Sequence, residues 1–519
     1  QDCRRPGFNF LFARSLFSAI RRYPSGMLSL RGSLPLRGPT HQRSHSRGRA
    51  AVVTILAVGA ARAYWSGQFA TAALAAPPCL LSASPVSKVT APTPRGNRLA
   101  RHVGSATAVA DVGLDSDFLR TPMGALRQQF LANKSLTTLP MPGVLPPWVK
   151  SDSVFEIVPH QVQRDIEQLE YLIQRGVLPE SLNQYVADTA LPEYRRMLRI
   201  ARLVVDERSD VYFYTHPQVE LAVFFGLQKR ALHLHAGDRV EGGAINPDVG
   251  LEALQDAFLS KEHRLQVIDD FFRPEALHQL RDFLLESTIW TEVKFGHVGA
   301  YLEDGFASPL VSQIDQELRA KLPRVIGDLE LESAWAYMYD GSLGGISTHA
   351  DDAQVQINFW ITPTEANLGF DNNSFPSGGL VIYGVGPPKE WRADKYNNVY
   401  GQQDIDDVLG SVDYWNVTVP YIQNRAILFD STYFHRTDGM RFKKGYKNRR
   451  INVTFLYGKR KNLDPRASVR DRADVAAAAS HWHSLDEARK INQDREHFYT
   501  VGEQMLDNDG WAMLRAMDV

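Results

Sequence analysis

A chain of 519 residues, 44% apolar and 23% charged, is too long for one compact core and has the composition of a soluble globular protein of two to four structural units. Its formal net charge of −1 gives no whole-chain reason to expect nucleic-acid binding. Both cysteines, Cys3 and Cys79, lie upstream of Gly104, so the remainder excludes disulfides, thiolate-bound zinc, iron–sulfur clusters and a cysteine nucleophile. Any metal there must take His, Asp or Glu.

The charge is unevenly spread. Residues 1–110 hold fourteen Arg, one Lys and a single acid, Asp2, a net +14 that leaves −15 for the rest. This basic, acid-poor leader, rich in Arg, Ser, Ala and Pro, has the composition of an organelle transit peptide for a plastid or mitochondrion. A disordered or spurious N-terminus, with a cytoplasmic protein, is the competing expectation. The chain opens on Gln, as a fragment or translated upstream sequence would. The apolar run Ala51–Ala61 is too short to count as a membrane span, and could instead be the h-region of a signal peptide.

Residues 111–150, with the Pro-broken "TLPMPGVLPPWVK", read as linker. Residues 151–260 read as a mainly helical region able to recruit a protein partner. Val162, Ile166, Leu169, Leu172 and Ile173 recur at helical spacing, and a second helix begins near Pro192. "DVYFYT" and "VELAVFFGL" are strands or buried helix, which periodicity cannot decide. His233 and His235 are expected on one side of a short strand, and not as a metal pair.

Residues 264–460 have a different texture. A strand at Leu265–Ile268 leads through an Asp-Asp turn to a helix from about Pro274, with Leu277, Leu280, Phe283 and Leu284 on one face. Six β-rich runs follow ("SAWAYMYD", "VQINFWIT", "GGLVIYGV", "DYWNVTVPY", "NRAILFD", "RRINVTFLYG"), which predicts a sandwich or barrel. An insertion from Pro387 to Tyr421, holding Trp391, Tyr396, Tyr400 and Trp415, is either a substrate lid or a surface elaboration. "GVGPPK" lacks the strand–helix context of a phosphate loop. Asn133, Asn372, Asn416 and Asn452 begin N-x-S/T matches, relevant only in a secretory compartment. Residues 461–519 read as a helical tail, with His481 and His483 on its surface.

The chemistry is concentrated in "GGISTHADDAQVQINFW". His349 and Asp351, two apart, point to the same side of an extended segment, while Asp352 points away. His435 follows a second apolar strand, and Arg450 opens a third. Two His and one carboxylate leave other metal positions open, the arrangement used by non-haem Fe(II) oxygenases. A guanidinium nearby can grip a carboxylate through two parallel hydrogen bonds.

His349-x-Asp351, His435 and Arg450-x-Asn452 resemble the iron- and 2-oxoglutarate-dependent oxygenases over roughly Leu265–Lys459, and "QVIDDFFRPEALHQLRDFL" and "YMYDGSLGGISTHAD" are similar to the prolyl 4-hydroxylase-like branch. The resemblance implies an α+β fold: a double-stranded β-helix (jelly-roll) catalytic domain. It implies Fe(II) on His349, Asp351 and His435, and 2-oxoglutarate on Arg450, with Tyr339 and Asn452 as further contacts. O₂ is the other cosubstrate and ascorbate a candidate reductant. The reaction implied is hydroxylation of a C–H bond in a peptidyl, first of all prolyl, or small-molecule substrate, with release of succinate and CO₂. The alternative is a barrel that has lost catalysis and serves as a binding module.

Two departures bear on this. Prolyl 4-hydroxylases use Lys where Arg450 stands, and Lys443, Lys444 and Lys447 lie on the approach. Arg449 is a further rival, and only one of two adjacent strand residues can face a barrel interior. The strand Arg450–Phe455 also resembles that of the alkylated-nucleic-acid demethylases, but their further Arg is Leu456 here, and the acidic body disfavours nucleic acid.

Overall fold

The computed structural model describes residues 116–205, 212–260, 264–294, 296–341, 345–369, 377–397, 401–460, 504–506, 511 and 514. All fall in the unit Gly96–Val519. The leader, Asn372, Tyr400, His481 and His483 lie outside the described residues. Among those described, no helix is long and apolar enough to cross a membrane.

The expected linker needs correction from Ser116 onward. Helix α1 (Pro122–Lys134) starts at Thr121, whose side chain accepts from the Gly124 amide at 3.1 Å. Phe118, Phe130, Leu136 and Val149 are buried. Arg127, also buried, donates to the carbonyls of His235 and Ala307. Pro and Gly report backbone stiffness and turns, but not what a few spaced apolar side chains cover.

Next come β1 (Phe155–Ile157), α2 (Pro159–Arg175), α3 (Glu180–Tyr185) running through a π turn into α4 (Leu191–Val204), β2 (Phe213–Thr215), α5 (Ala222–Leu227) and α6 (Leu251–Ser260). On α2, Val162, Ile166, Leu169 and Leu172 are buried and Ile173 half-buried. Gly176 ends α2 at φ 66°, a left-handed cap in which its N–H meets the Leu172 carbonyl. Of the two ambiguous runs, one is strand β2 and the other helix α5. All six α5 residues are buried, so no solvent face imposes a period. His233 and His235 are in no strand; the Leu232 and His233 amides bond to the Thr288 hydroxyl instead.

The remaining elements are β3 (Leu265–Ile268), α7 (Pro274–Glu286), β4 (Glu292–Lys294), β5 (His297–Tyr301), α8 (Pro309–Lys321), β6 (Leu331–Tyr339), β7 (Ala353–Trp360), β8 (Leu380–Tyr383), α9 (Ala393–Tyr396), α10 (Gln402–Ser411), β9 (Asn416–Val419), β10 (Ala426–Asp430), β11 (His435–Thr437), β12 (Ile451–Lys459) and β13 (Gln504–Leu506). Seven strands form an antiparallel sheet in the order β3-β10-β7-β12-β6-β5-β4; three form a second, β11-β8-β9. The protein is thus mixed helix and antiparallel sheet.

β7 and β12 are central and buried on both faces. On one face Ile451, Val453, Phe455, Ile357 and Phe359 pack in one core with Leu280, Phe283 and Leu284 of α7. Truncating a residue such as Phe283 there costs about 3–5 kcal/mol. On the other, Tyr339, Trp360, Ile427 and Phe429 meet Leu380, Ile382 and Val419 of the smaller sheet. That inner face also buries Gln356, Asn358, Asn452 and Thr454. Buried polar side chains in the centre of a sheet are costly unless paired, and they mark where chemistry is placed.

The expected helical tail is corrected at its described residues. β13 is a strand, running parallel to β2 in the sheet β1-β2-β13. The open edge of β2 offers unpaired backbone groups that outweigh helical propensity. Trp511, helical and buried, donates from Nε1 to the Thr215 hydroxyl at 2.9 Å.

Candidate metal centre

His349 and His435, far apart in the chain, are made neighbours by backbone pairing. The His349 amide donates to the His435 carbonyl at 2.9 Å and the His435 amide returns the bond at 2.8 Å, extending the smaller sheet by one bridge. Opposed residues of an antiparallel pair project to the same side. Their ring centroids lie 4.3 Å apart. Asp351, two residues on, returns to that side. The nearest Asp351 oxygens are 4.0 Å from His349 Nε2 and 3.5 Å from His435 Nε2. One ligand atom from each residue lies within 4.8 Å of the others, the group among the described residues that fits a metal ion.

The donor set is prepared for a cation. A carbonyl can only accept, so His349 Nδ1–H donates to Ser347 O (2.8 Å) and His435 Nδ1–H to Tyr433 O (3.0 Å). In the neutral imidazole this tautomer leaves Nε2 bare, and on each ring Nε2 is the nitrogen turned toward Asp351. Burial, and then the neighbouring His435, lower the His349 pKa to about 4, which keeps that imidazole neutral. Burial works to raise the Asp351 carboxyl, but its contacts with His435, His349 and the Asn397 amide outweigh it and hold it below its ordinary value. Asp351 and His435 are buried while the His349 side chain stays 15% exposed, so the group has one approachable side. Neutral nitrogens and an ionised carboxylate are what a divalent cation requires.

Asp352 is exposed and turns the other way, accepting from the Tyr396 hydroxyl at 3.1 Å. The insertion from Pro387 is tied to this motif through Tyr396, through the Ala350 amide to the Tyr396 carbonyl, and through Asn397 Nδ2, 3.3 Å from Asp351 Oδ1. No spacing rule marks Asn397; only the fold brings it to Asp351.

The two arginines diverge as alternation requires. Arg450 is 2% exposed on the inner face, with Nε to Gly378 O (2.8 Å), Nη1 to Asn452 Oδ1 (3.0 Å) and its guanidinium 4.6 Å from the Tyr339 ring centroid. Arg449 leaves on the opposite side to pair with Glu167 (2.9 Å) and Asp340 (3.2 Å). Lys443, Lys444 and Lys447 are exposed. Asn452 passes its hydrogen bond on to Thr454 Oγ1, which donates to Asn358. Tyr339 is buried beneath Arg450 and stacks on His297. Burial first raises its pKa; the Arg450 charge and a hydrogen bond with Thr437, two residues past His435, oppose that. Tyr339 thus lies between Arg450 and Thr437, a residue of the strand that begins at His435.

Trp335 and Tyr337 extend the Tyr339 face of β6, with Tyr301 of β5 bonded hydroxyl to hydroxyl to Tyr337 at 2.6 Å. Gly299, opposite Tyr337, leaves room for that ring: a Cβ there would sit 2.9 Å from it. The period-two row Trp335, Tyr337, Tyr339 was the available signal for this wall.

Fold and site together define a mixed helix and antiparallel-sheet protein that carries a 2-His-1-carboxylate group and, at the start of β12, a buried arginine. No family model and no curated protein matches the chain. Among solved structures it is similar to a Trichoplax adhaerens prolyl hydroxylase in complex with a hypoxia inducible factor oxygen degradation domain peptide, at 17% identity over 41% of this chain and 92% of that one (TM-score 0.28). It is also similar to an oxidoreductase of the 2OG-Fe(II) oxygenase family from Burkholderia pseudomallei, at 10% identity over 44% and 97% (TM-score 0.26). A third is HygX from Streptomyces hygroscopicus with nickel, 2-oxoglutarate and hygromycin B bound, at 13% identity over 40% and 86% (TM-score 0.26).

Proposed function

We propose that residues 264–460 are an Fe(II)- and 2-oxoglutarate-dependent dioxygenase domain of the double-stranded β-helix type, hydroxylating a C–H bond. The observation that carries the reading is the convergence of two tautomer-fixed imidazoles and one carboxylate in a group that fits a metal ion, with a buried arginine on the inner face at the start of β12.

His349, Asp351 and His435 would hold Fe(II). When bound, with 2-oxoglutarate and O₂, it supplies the oxidising power that converts a substrate C–H to C–OH while 2-oxoglutarate becomes succinate and CO₂. The protein's part is positioning. Ser347 and Tyr433 carbonyls fix the imidazoles, and Asn397 steadies the carboxylate. Arg450 would take the distal carboxylate of 2-oxoglutarate, with Asn452 and Tyr339 holding its guanidinium in place. The aromatic wall of Trp335, Tyr337 and Tyr301 would exclude water and bound the substrate.

A peptidyl substrate, prolyl first, is preferred over a small metabolite. Residues 151–260 would recruit the protein that carries it. The test is succinate release from 2-oxoglutarate by the anaerobically iron-loaded protein on exposure to O₂, with and without peptide libraries searched for a +16 Da product. Iron binding with no turnover on any substrate would favour a binding module instead. A His349→Ala protein that still turned over would refute the ligand assignment.

A further inference from the structure

Arg450 is buried without a counter-ion. It is 2% exposed, yet no carboxylate of a described residue pairs with it, whereas Arg449 beside it has two. Buried charges are ordinarily paired, because taking one out of water alone is costly. Nε and Nη1 are engaged by Gly378 O and Asn452 Oδ1. Nη2 has no carbonyl or carboxylate acceptor among the described residues, and it is not one of the donors sealed from solvent without a partner. An anion arriving on that side would complete the guanidinium.

Two rings hold the cation in the meantime. Its Cζ lies 4.6 Å from the Tyr339 ring centroid and 5.4 Å from that of Tyr421. Tyr421 comes just after β9, at the end of the insertion that starts at Pro387, and is fully buried. Its ring has little freedom. Trp360 stacks on it (5.0 Å, 20°), Phe442 meets it edge-on (5.1 Å, 88°), and its hydroxyl donates to Thr362 O at 3.0 Å. Burial raises that hydroxyl to about 12, so Tyr421 is uncharged at neutral pH. It therefore offers Arg450 the negative face of a ring and not a counter-charge, a contact that is strongest where water is excluded. The guanidinium is fixed without being neutralised.

We propose that Tyr421 is a positioning residue that holds Arg450 in place, uncompensated, so that the site selects a 2-oxo acid with a second, distal carboxylate. This rests on the oxygenase reading above, in which the other end of that acid meets the metal held by His349, Asp351 and His435.

The test is calorimetric titration of the full chain, loaded with Mn(II) in place of Fe(II) so that no turnover competes, with 2-oxoglutarate and, separately, with 2-oxovalerate, which lacks the distal carboxylate. The wild type should prefer 2-oxoglutarate. Tyr421→Leu should narrow that preference about five- to tenfold with Mn(II) affinity unchanged, whereas Tyr421→Phe, which keeps the ring, should hold it within about twofold. Because Tyr421→Leu could fail to fold, a second series carries the assignment: a phenylalanine at position 421 whose ring is successively fluorinated, which keeps its shape and drains negative charge from its face. Affinity for 2-oxoglutarate should fall along the series and affinity for 2-oxovalerate should not. Equal affinity of the wild type for the two acids, an unchanged preference in Tyr421→Leu, or one indifferent to fluorination would overturn the clamp and leave the metal assignment standing. Failure of the wild type to bind either acid would remove the oxygenase reading and the clamp with it.

Discussion

His349 and His435 exchange two main-chain hydrogen bonds, so the spacing of their rings is set by sheet pairing and not by the side chains themselves. Either proposed ligand can therefore be removed without dismantling the strand pair that presents it. His349→Ala and His435→Ala should stay folded, with circular dichroism spectra like the parent's, while losing stoichiometric Fe(II) binding in anaerobic titration. Unfolding of both variants would show that the rings, not the backbone, hold the pair together.

The adjacent aspartates should separate cleanly. Asp351 faces both imidazoles, whereas Asp352 takes the Tyr396 hydroxyl on the other side. Asp351→Ala is expected to abolish metal binding and succinate release. Asp352→Ala is expected to leave iron affinity within about twofold, because only a hydrogen bond worth about 1–3 kcal/mol to the fold is lost. Equal effects of the two substitutions on iron affinity would contradict this orientation.

Arg450 and Arg449 should fail in different ways. Arg450→Ala should raise the KM for 2-oxoglutarate with iron affinity unchanged. Arg450→Lys should recover it only partly, since a lysine cannot form the two parallel bonds. Arg449→Ala removes the buried cation that Glu167 and Asp340 share and should cost about 3 kcal/mol of stability, read by denaturant unfolding, with the KM unaltered.

What could be read from the chain follows from the range of the forces involved. His349-x-Asp351 and the strands around His435 and Arg450 rest on period-two alternation, a local property, and all six β-rich runs are strands. The choice of Arg450 over Arg449 needed the register of β12, which only its neighbours specify. Residues 116–150 and 504–506 depart from what composition and propensity predict because tertiary burial and an open strand edge override them there. Asn397 sits in an insertion with no periodic signature, and its relation to Asp351 exists only in three dimensions.

Asn397 should accordingly matter beyond its exposed position. It donates to the carboxylate that completes the metal group, and outer partners of metal ligands typically contribute about 10–100-fold in affinity. At 3.3 Å the bond is long, so Asn397→Ala should weaken iron binding by roughly tenfold, the low end of that range, with thermal stability unchanged. Wild-type iron affinity in this variant would make the insertion a surface elaboration as far as the metal is concerned.

Acid should destabilise the fold through histidines remote from the metal group. Burial lowers both His160 and His233 from 6.5 to about 4, and His160 Nε2 is buried without a partner. The unfolded chain then binds more protons than the folded one between about pH 4 and 6.5. Their contribution is complete above pH 6.5 and is lost as pH falls toward 4, at most about 3 kcal/mol each from 1.36 kcal/mol per unit. Asp165 opposes this. Burial raises its carboxyl from 3.8 to about 6, so the folded state gains stability as pH falls across that interval. One carboxyl offsets about one histidine, and the remaining histidine, together with His349, which is also lowered to about 4 in the metal-free protein, leaves a net loss. The melting temperature of the metal-free protein should therefore drop between pH 6.5 and 4.5. His160→Gln should flatten the drop, whereas Asp165→Asn should steepen it. A pH profile identical in both variants would mean that other groups govern acid stability.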